Sequence, residues 1–310
     1  MNTTKYIHCA MAGLLGLFLL SCSKSDKNEG IANKGPKPDS IWQEHWLEHN
    51  QRLTLAYYDE QVAVYKDPAV SPTVTWPYEL MSKTWKYAKE VYGEMGPDPR
   101  LYVVLHGGAY GNVGQPQYYP DSSGDNKNIV DFSTTDWDNF VFPEPGLIHE
   151  ICHIVESTTN GVKGSPAFTV WGDSKWQDIF VYDVYRKLGM KAKADAWHMY
   201  YLDDQVDYPE KGSHWFRDWW LPIYTKYGEQ KVLSQFFVLV SKNFPKANTA
   251  ELGFPEYTRR MNLGEYIHFM SGAAGVNLKN QATTAFGWTS ECDAQFKQAR
   301  IDFPGVTYKD

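Results

Sequence analysis

GLIHEICHIVE, residues 146–156, places histidines at 149 and 153 and a glutamate at 150. Four residues along an α-helix return almost to the same face, so the two imidazoles point at one spot. That spacing suits a metal ion, zinc above all. Glu150 then stands beside the ion, able to take a proton from water that the ion has made more acidic. The neighbouring residues agree: Leu147, Ile148, Ile151, Ile154 and Val155 make the rest of the helix apolar, so it is expected to be buried. Two histidines and a glutamate packed inside a core without an ion would be a costly set of polar groups to satisfy.

The motif leaves the third ligand open. The long metzincin pattern continues with a glycine at 156 and a histidine at 159; Glu156 and Thr159 exclude that form. The motif instead resembles that of the thermolysin-like gluzincins, and the resemblance implies an acidic ligand from a second helix downstream. Asp178 and Asp173 both fall in range. Asp178 is preferred, because it lies inside the helix expected over Ser174 to Leu188, among Trp176, Ile179 and Phe180, where a carboxylate needs a reason. Asp173 precedes that helix, where satisfying free backbone N–H groups is its simpler role. Glu156 shares a face with His153 and either ligates or orients a ligand from behind, and Asp183 is another candidate for such orienting. Groups that would steady a carbonyl oxygen as it gains charge are Tyr200, His198 and His214.

The N-terminus reads as a targeting signal. Lys5 is followed by an almost wholly apolar run from Ala10 to Leu20, shorter than the roughly 20 residues that span a bilayer. Leu19-Leu20-Ser21-Cys22 resembles the lipobox of bacterial lipoproteins, which implies a lipid on Cys22 and an outer-membrane lipoprotein, periplasmic or surface-exposed. The polar stretch that follows cannot repay its ordering entropy and is expected to be a tether. Once the signal carrying Cys9 is removed, Cys152 and Cys292 remain as thiols, free or joined to each other. The chain of 310 residues has a formal charge of -7 and no basic run, so a nucleic-acid partner is not expected. Its 12 Trp, 21 Tyr and 15 Phe suit a deep core and an extended groove equally.

Strand character concentrates early: Leu55 to Tyr65, Leu101 to His106 and Ile129 to Ser133. Tyr78 to Met95 reads as a helix, and Tyr110 to Asn128 as a long cleft-lining loop. His106, at the end of the clearest strand, is expected to face the cleft. Ser174 with Gln177 forms a capping-box pattern. Helices dominate the last third: Leu221 to Tyr227, Gln230 to Asn243, Leu263 to Met270 and Ser290 to Ile301. The expectation is an α+β fold. A zincin-like catalytic domain with a mixed or antiparallel sheet and a central HExxH helix is followed by a mainly helical C-terminal part. The corresponding boundaries are a signal peptide at 1–21, a flexible tether at 22–40, the catalytic domain at 41–214 and a helical subdomain at 215–310. His268, among Ile267, Phe269 and Met270, reads as a packed core histidine.

GLIHEICHIVE and DIFVYDVYRKLG (Asp178 to Gly189) together are similar to the basic secretory protein family and related bacterial lipoproteins, gluzincin-like zinc peptidases. The resemblance implies zinc held by His149, His153 and Asp178, although the family has glutamate at the last position. It also implies an extracytoplasmic metallopeptidase acting on a protein, peptide or glycoprotein, with Glu150 as base. By the same analogy, Leu101 to His106 would align the peptide through backbone pairing. Two alternatives stand beside it: a surface glycan-binding or uptake lipoprotein with a structural or vestigial metal site, and a zinc amidase acting on a cell-wall or other non-peptide bond.

Overall fold

The computed structural model describes residues 36–139, 142–249 and 253–310. The expected signal peptide, Cys22 and most of the expected tether lie outside the described residues. Six strands form one mixed sheet: β1 (Ile41–Gln43), β2 (Arg52–Tyr58), β3 (Val62–Lys66), β4 (Leu101–His106), β5 (Val113–Gln117) and β6 (Ile129–Ser133), in the order β1-β2-β3-β4-β6-β5. β4 runs parallel to both β3 and β6, while the remaining pairs are antiparallel. The β3–β4 pair is parallel because helix α1 (Trp76–Tyr92) carries the chain back across the sheet between them.

The stretch from Leu55 to Tyr65 is two strands rather than one. Asp59 breaks it: its Oδ1 accepts the N–H groups of Gln61 (2.7 Å) and Val62 (2.8 Å), closing a side-chain turn. The expected loop after Tyr110 contains β5, an edge strand whose Gly114 and Pro116 are poor strand formers that an edge tolerates. Trp137 to Phe142 contributes no strand among the described residues.

Interior strands β3, β4 and β6 are buried on both faces, and alternation sorts their side chains. Val62, Val64, Leu101, Val103, Leu105, Val130 and Phe132 face the large helical core. Ala63, Tyr65, Tyr102, Val104 and Ile129 face the opposite way, into a smaller cluster closed by Trp46 and Leu53. The sheet therefore has two covered faces with different chemistry.

The helical side comprises α2 (Pro143–Thr158), α3 (Phe168–Trp171), α4 (Lys175–Lys187) and α5 (Lys191–Tyr201). After it come a π-helical turn (Trp215–Trp220), α6 (Leu221–Lys226), α7 (Gln230–Asn243), a small hairpin of β7 (Lys246–Asn248) with β8 (Pro255–Tyr257), α8 (Leu263–Ala274), α9 (Lys279–Phe286) and α10 (Ser290–Asp302). Residues on both sides of the 214/215 boundary share the large core. Much of the tryptophan content is spent there: Trp176 meets Trp171 and Trp220 at 5.7 Å between ring centroids, and Trp219 donates to the Tyr266 hydroxyl at 2.7 Å. His268 is buried among these helices between Tyr308 and the Phe303 carbonyl. Cys152 and Cys292 are free thiols. No helix among the described residues is long and apolar enough to cross a membrane.

Asp183 ties three helices together. It is fully buried on α4 and accepts hydrogen bonds from Tyr87 on α1 (2.5 Å) and Tyr224 on α6 (2.6 Å). Its role is a core junction, not the orienting of a metal ligand. Burial raises its pKa to about 6 against these two donors. Because the folded pKa lies above the unfolded one, the folded state binds the proton more tightly. Asp183 therefore favours folding at low pH, and that contribution is lost as pH rises from about 4 through 6. Urea unfolding across this range should show a falling stability component worth about 3 kcal/mol at most, and Asp183→Asn should flatten it.

Candidate metal centre

Helix α2 opens with Pro143 at its first turn, where a missing N–H costs nothing, and with Glu144 near the positive end of the helix dipole. It ends where Thr158 Oγ1 turns back to the Ile154 carbonyl (2.6 Å) and Thr159 becomes extended. Between these ends Leu147, Ile148, Ile151, Cys152, Ile154 and Val155 are wholly buried, which fixes the rotation of the helix. His149 and His153 consequently face the same way, with their Nε2 atoms 3.1 Å apart.

The third member of the group is Asp173, whose Oδ1 is 3.4 Å from His153 Nε2. Among the described residues, His149, His153 and Asp173 form a set whose ligand atoms all lie within 4.8 Å of one another, compatible with holding a metal ion. Asp173 reaches this position because α3 ends at Gly172 in a turn with φ of 64°, a conformation that favours glycine. Its side chain is 77% exposed, so it approaches the histidines from the solvent side.

Asp178, the preferred ligand on sequence grounds, is not in the group. It is buried on α4, with Oδ2 3.6 Å from Lys175 Nζ. Burial pushes its pKa up to about 8, so at neutral pH it keeps a proton that a ligand must lose. Ser174 caps α4 without a side-chain hydrogen bond, and Gln177 makes no capping box. Gln177 is buried with its Nε2 3.0 Å from His153 Nδ1 instead, a placement with no sequence signal.

Glu156 stands behind His153. Its Oε1 is 3.1 Å from His153 Nδ1, and its Oε2 accepts from Trp171 Nε1 (2.9 Å) and Ser165 Oγ (3.2 Å). A carboxylate held this way fixes the His153 ring and leaves Nε2 for the ion. Burial lowers the His149 pKa to about 3, so its imidazole is neutral at pH 7, as metal ligation requires. Two ring nitrogens converging with a carboxylate fit a zinc-type ion in donor number and chemistry.

Glu150 is buried beside the group, and burial raises its pKa to about 7. Its carboxylate lies against β5: a Cβ on Gly114 would come within 2.4 Å of Glu150 Oε1. Strand β4, expected to align a substrate, is paired on both sides by β3 and β6; the edge next to Glu150 belongs to β5.

Each of the two histidines lines a different cleft. One, of about 420 Å³, is lined by His153 and Asp173 with Tyr118, Asp121, Lys163, Glu256 and Arg260. The other, of about 680 Å³, is lined by His149 with Phe142, Tyr185, Trp197, Tyr200 and Tyr201. Tyr200 is thus beside the site, whereas His198 and His214 line neither cleft. His198 packs near Tyr182 and Phe216, and His214 is buried with Nε2 2.8 Å from Gln205. His106 does not face a cleft. It is buried on the opposite face of the sheet, where desolvation lowers its pKa but the surrounding Asp131, Asp67 and Glu44 carboxylates raise it to about 11.

No protein-family model matches the chain, and no curated protein matches it. The similarity to basic secretory proteins therefore rests on residues 146–156 and 178–189 alone. Among solved structures, the chain is similar to a functionally unknown conserved protein mutant from Bacillus anthracis str. Ames, at 12% identity and a TM-score of 0.45. The match covers 81% of this chain and 51% of that one, so the chain spans about half of that protein's length.

Asp173→Asn should weaken zinc binding by about a hundredfold or more, while Asp178→Asn should leave it unchanged. Titration of the metal-free variants against a competing chelator reads both effects. The reverse pattern would return the ligand role to Asp178.

Proposed function

We propose that the chain is a zinc-dependent hydrolase, a metallopeptidase of the gluzincin-like kind, with His149, His153 and Asp173 as ligands and Glu150 as base. The observation that carries this reading is the buried Glu150 carboxylate beside the His149–His153–Asp173 group, whose members line two clefts. When bound, a zinc ion polarises a carbonyl and lowers the pKa of water towards 7.

The chain supplies the remaining parts. Glu150, with a pKa near neutrality, accepts the proton of the attacking water at its carboxylate and returns it to the leaving amine. Glu156 keeps the His153 ring oriented throughout. The β5 edge lies beside Glu150 and offers backbone groups for pairing an extended peptide across the site. Tyr200, which lines the same cleft as His149, would donate to the carbonyl oxygen. The aromatic cleft on that side suits a bulky apolar group, and the charged cleft on the other side suits a polar one.

Glu150→Gln should retain zinc and lose turnover of a casein or mixed peptide substrate by about 10²–10⁴-fold; undiminished cleavage would sink the mechanism. The aromatic cleft also favours a second reading, a zinc amidase on a cell-wall substrate. Release of peptide from purified cell wall, with no cleavage of casein, would select it.

The N-terminal sequence extends the proposal to location: an envelope lipoprotein anchored through Cys22, working outside the cytoplasm. Bacteria expressing the full chain and fed a radiolabelled fatty acid should label the protein, and Cys22→Ser should abolish the label.

A further inference from the structure

On the face of the sheet away from α2, four potential ligands converge. Strand alternation puts Asp131 of β6 and His106 of β4 on this face, beside the small cluster of Tyr102, Val104 and Ile129. The segment between β1 and β2 folds over them and contributes Glu44 and His49. The ligand atoms of all four residues lie within 4.8 Å of one another. His106 Nε2 is 2.8 Å from Glu44 Oε1 and 3.2 Å from Asp131 Oδ1; His49 Nδ1 is 3.1 Å from Asp131 Oδ2 and 3.8 Å from Glu44 Oε1.

Two features point to an occupant. Glu44 Oε1 and His106 Nε2 are both buried with no hydrogen-bond partner; although close, they are not aligned to bond each other. Orphaned atoms of this kind are rare in a folded core and call for something between them. The atoms around them, by contrast, are engaged. His106 Nδ1 is held by Asp67 Oδ2 at 3.1 Å, and Asp131 Oδ2 accepts from Trp46 Nε1 at 2.8 Å while also lying 3.1 Å from His49 Nδ1. Glu44 Oε2 accepts from the Gln51 N–H (2.8 Å) and the Tyr110 hydroxyl (3.2 Å). A histidine backed by a carboxylate and aimed inward is how proteins orient imidazole ligands.

We infer that Glu44, His49, His106 and Asp131 form a second site, one that holds a structural divalent transition-metal ion. Two imidazoles argue against calcium and magnesium, which take oxygen ligands, and two nitrogens with two carboxylate oxygens suit zinc. Four protein donors in a closed pocket leave no open position for substrate, so the role is to clamp. The ion would fasten the Glu44–Gln51 segment to the end of β4 and the middle of β6. Tyr110, stacked on His49 at 3.4 Å between centroids, starts the connection to β5, so the same clamp steadies the edge strand beside Glu150. The rival occupant is a proton on His106 shared among the carboxylates, with no ion. The inference does not depend on what the α2 site does.

Metal analysis of the tag-free, full-length protein purified with zinc and dialysed should give two zinc ions per chain. The His149→Ala/His153→Ala variant should keep one, and free zinc at about a hundred times its Kd should raise that variant's melting temperature by roughly 5 °C. Should the variants fail to fold, crystals of the wild-type protein decide. An anomalous map at the zinc edge should show a peak about 2.0–2.1 Å from His106 Nε2. A map without that peak, or a histidine-depleted variant that folds and binds no zinc, would overturn the inference. Loss of the α2 peak alone would overturn only the proposed function.

Discussion

Burial of the polar side of α2 is the constraint around which the face carrying the candidate metal centre is arranged. The apolar residues of this helix lock it against the sheet and the helices behind, which forces His153, Glu150 and Glu156 into places with little water. Each must then find a partner or change its protonation. Glu156 is satisfied by Trp171, Ser165 and the His153 ring, and so turns a liability into a brace. Glu150 has no such set of donors, and its carboxyl holds its proton up to about neutral pH. One helix thus carries a fixed group and a labile one, and the difference comes from what surrounds them.

The sheet repeats this logic on its other face. Asp131 and His106 occupy positions that alternation would give to core residues, and the chain between β1 and β2 closes over them with Glu44 and His49. Neither polar centre is isolated from the other mechanically. The Tyr110 loop leaves the second cluster and runs directly into β5, whose Gly114 packs on Glu150.

What the sequence reveals follows the range of the interaction concerned. His149, Glu150 and His153 are legible because helix geometry alone relates them, and β4 because two-sided burial leaves a nearly continuous apolar run. The α+β class and the helical last third are legible for the same local reasons. Asp173 is harder, since its role depends on a glycine turn that swings it towards a helix one element earlier, whereas Asp178 looked better only because a buried acid invites a function. Its actual environment is a lysine and a retained proton. β5 is hidden by Gly114 and Pro116, the first of which is there to admit Glu150. The cluster around His106 draws on separate segments of the chain, so no spacing announces it.

The unequal footing of the α2 ligands bears on how fast an ion comes and goes. His149 and His153 are one turn apart on a packed helix and cannot move independently, whereas Asp173 sits on an exposed turn after Gly172. Exchange of a bound ion would begin with rotation of that one carboxylate into solvent, while the imidazole pair would retain the ion until a competing ligand arrived. A site of this build would load without unfolding and yield its ion in steps. The enclosed cluster on the other face has no comparable door and would keep whatever it captured while the chain folded.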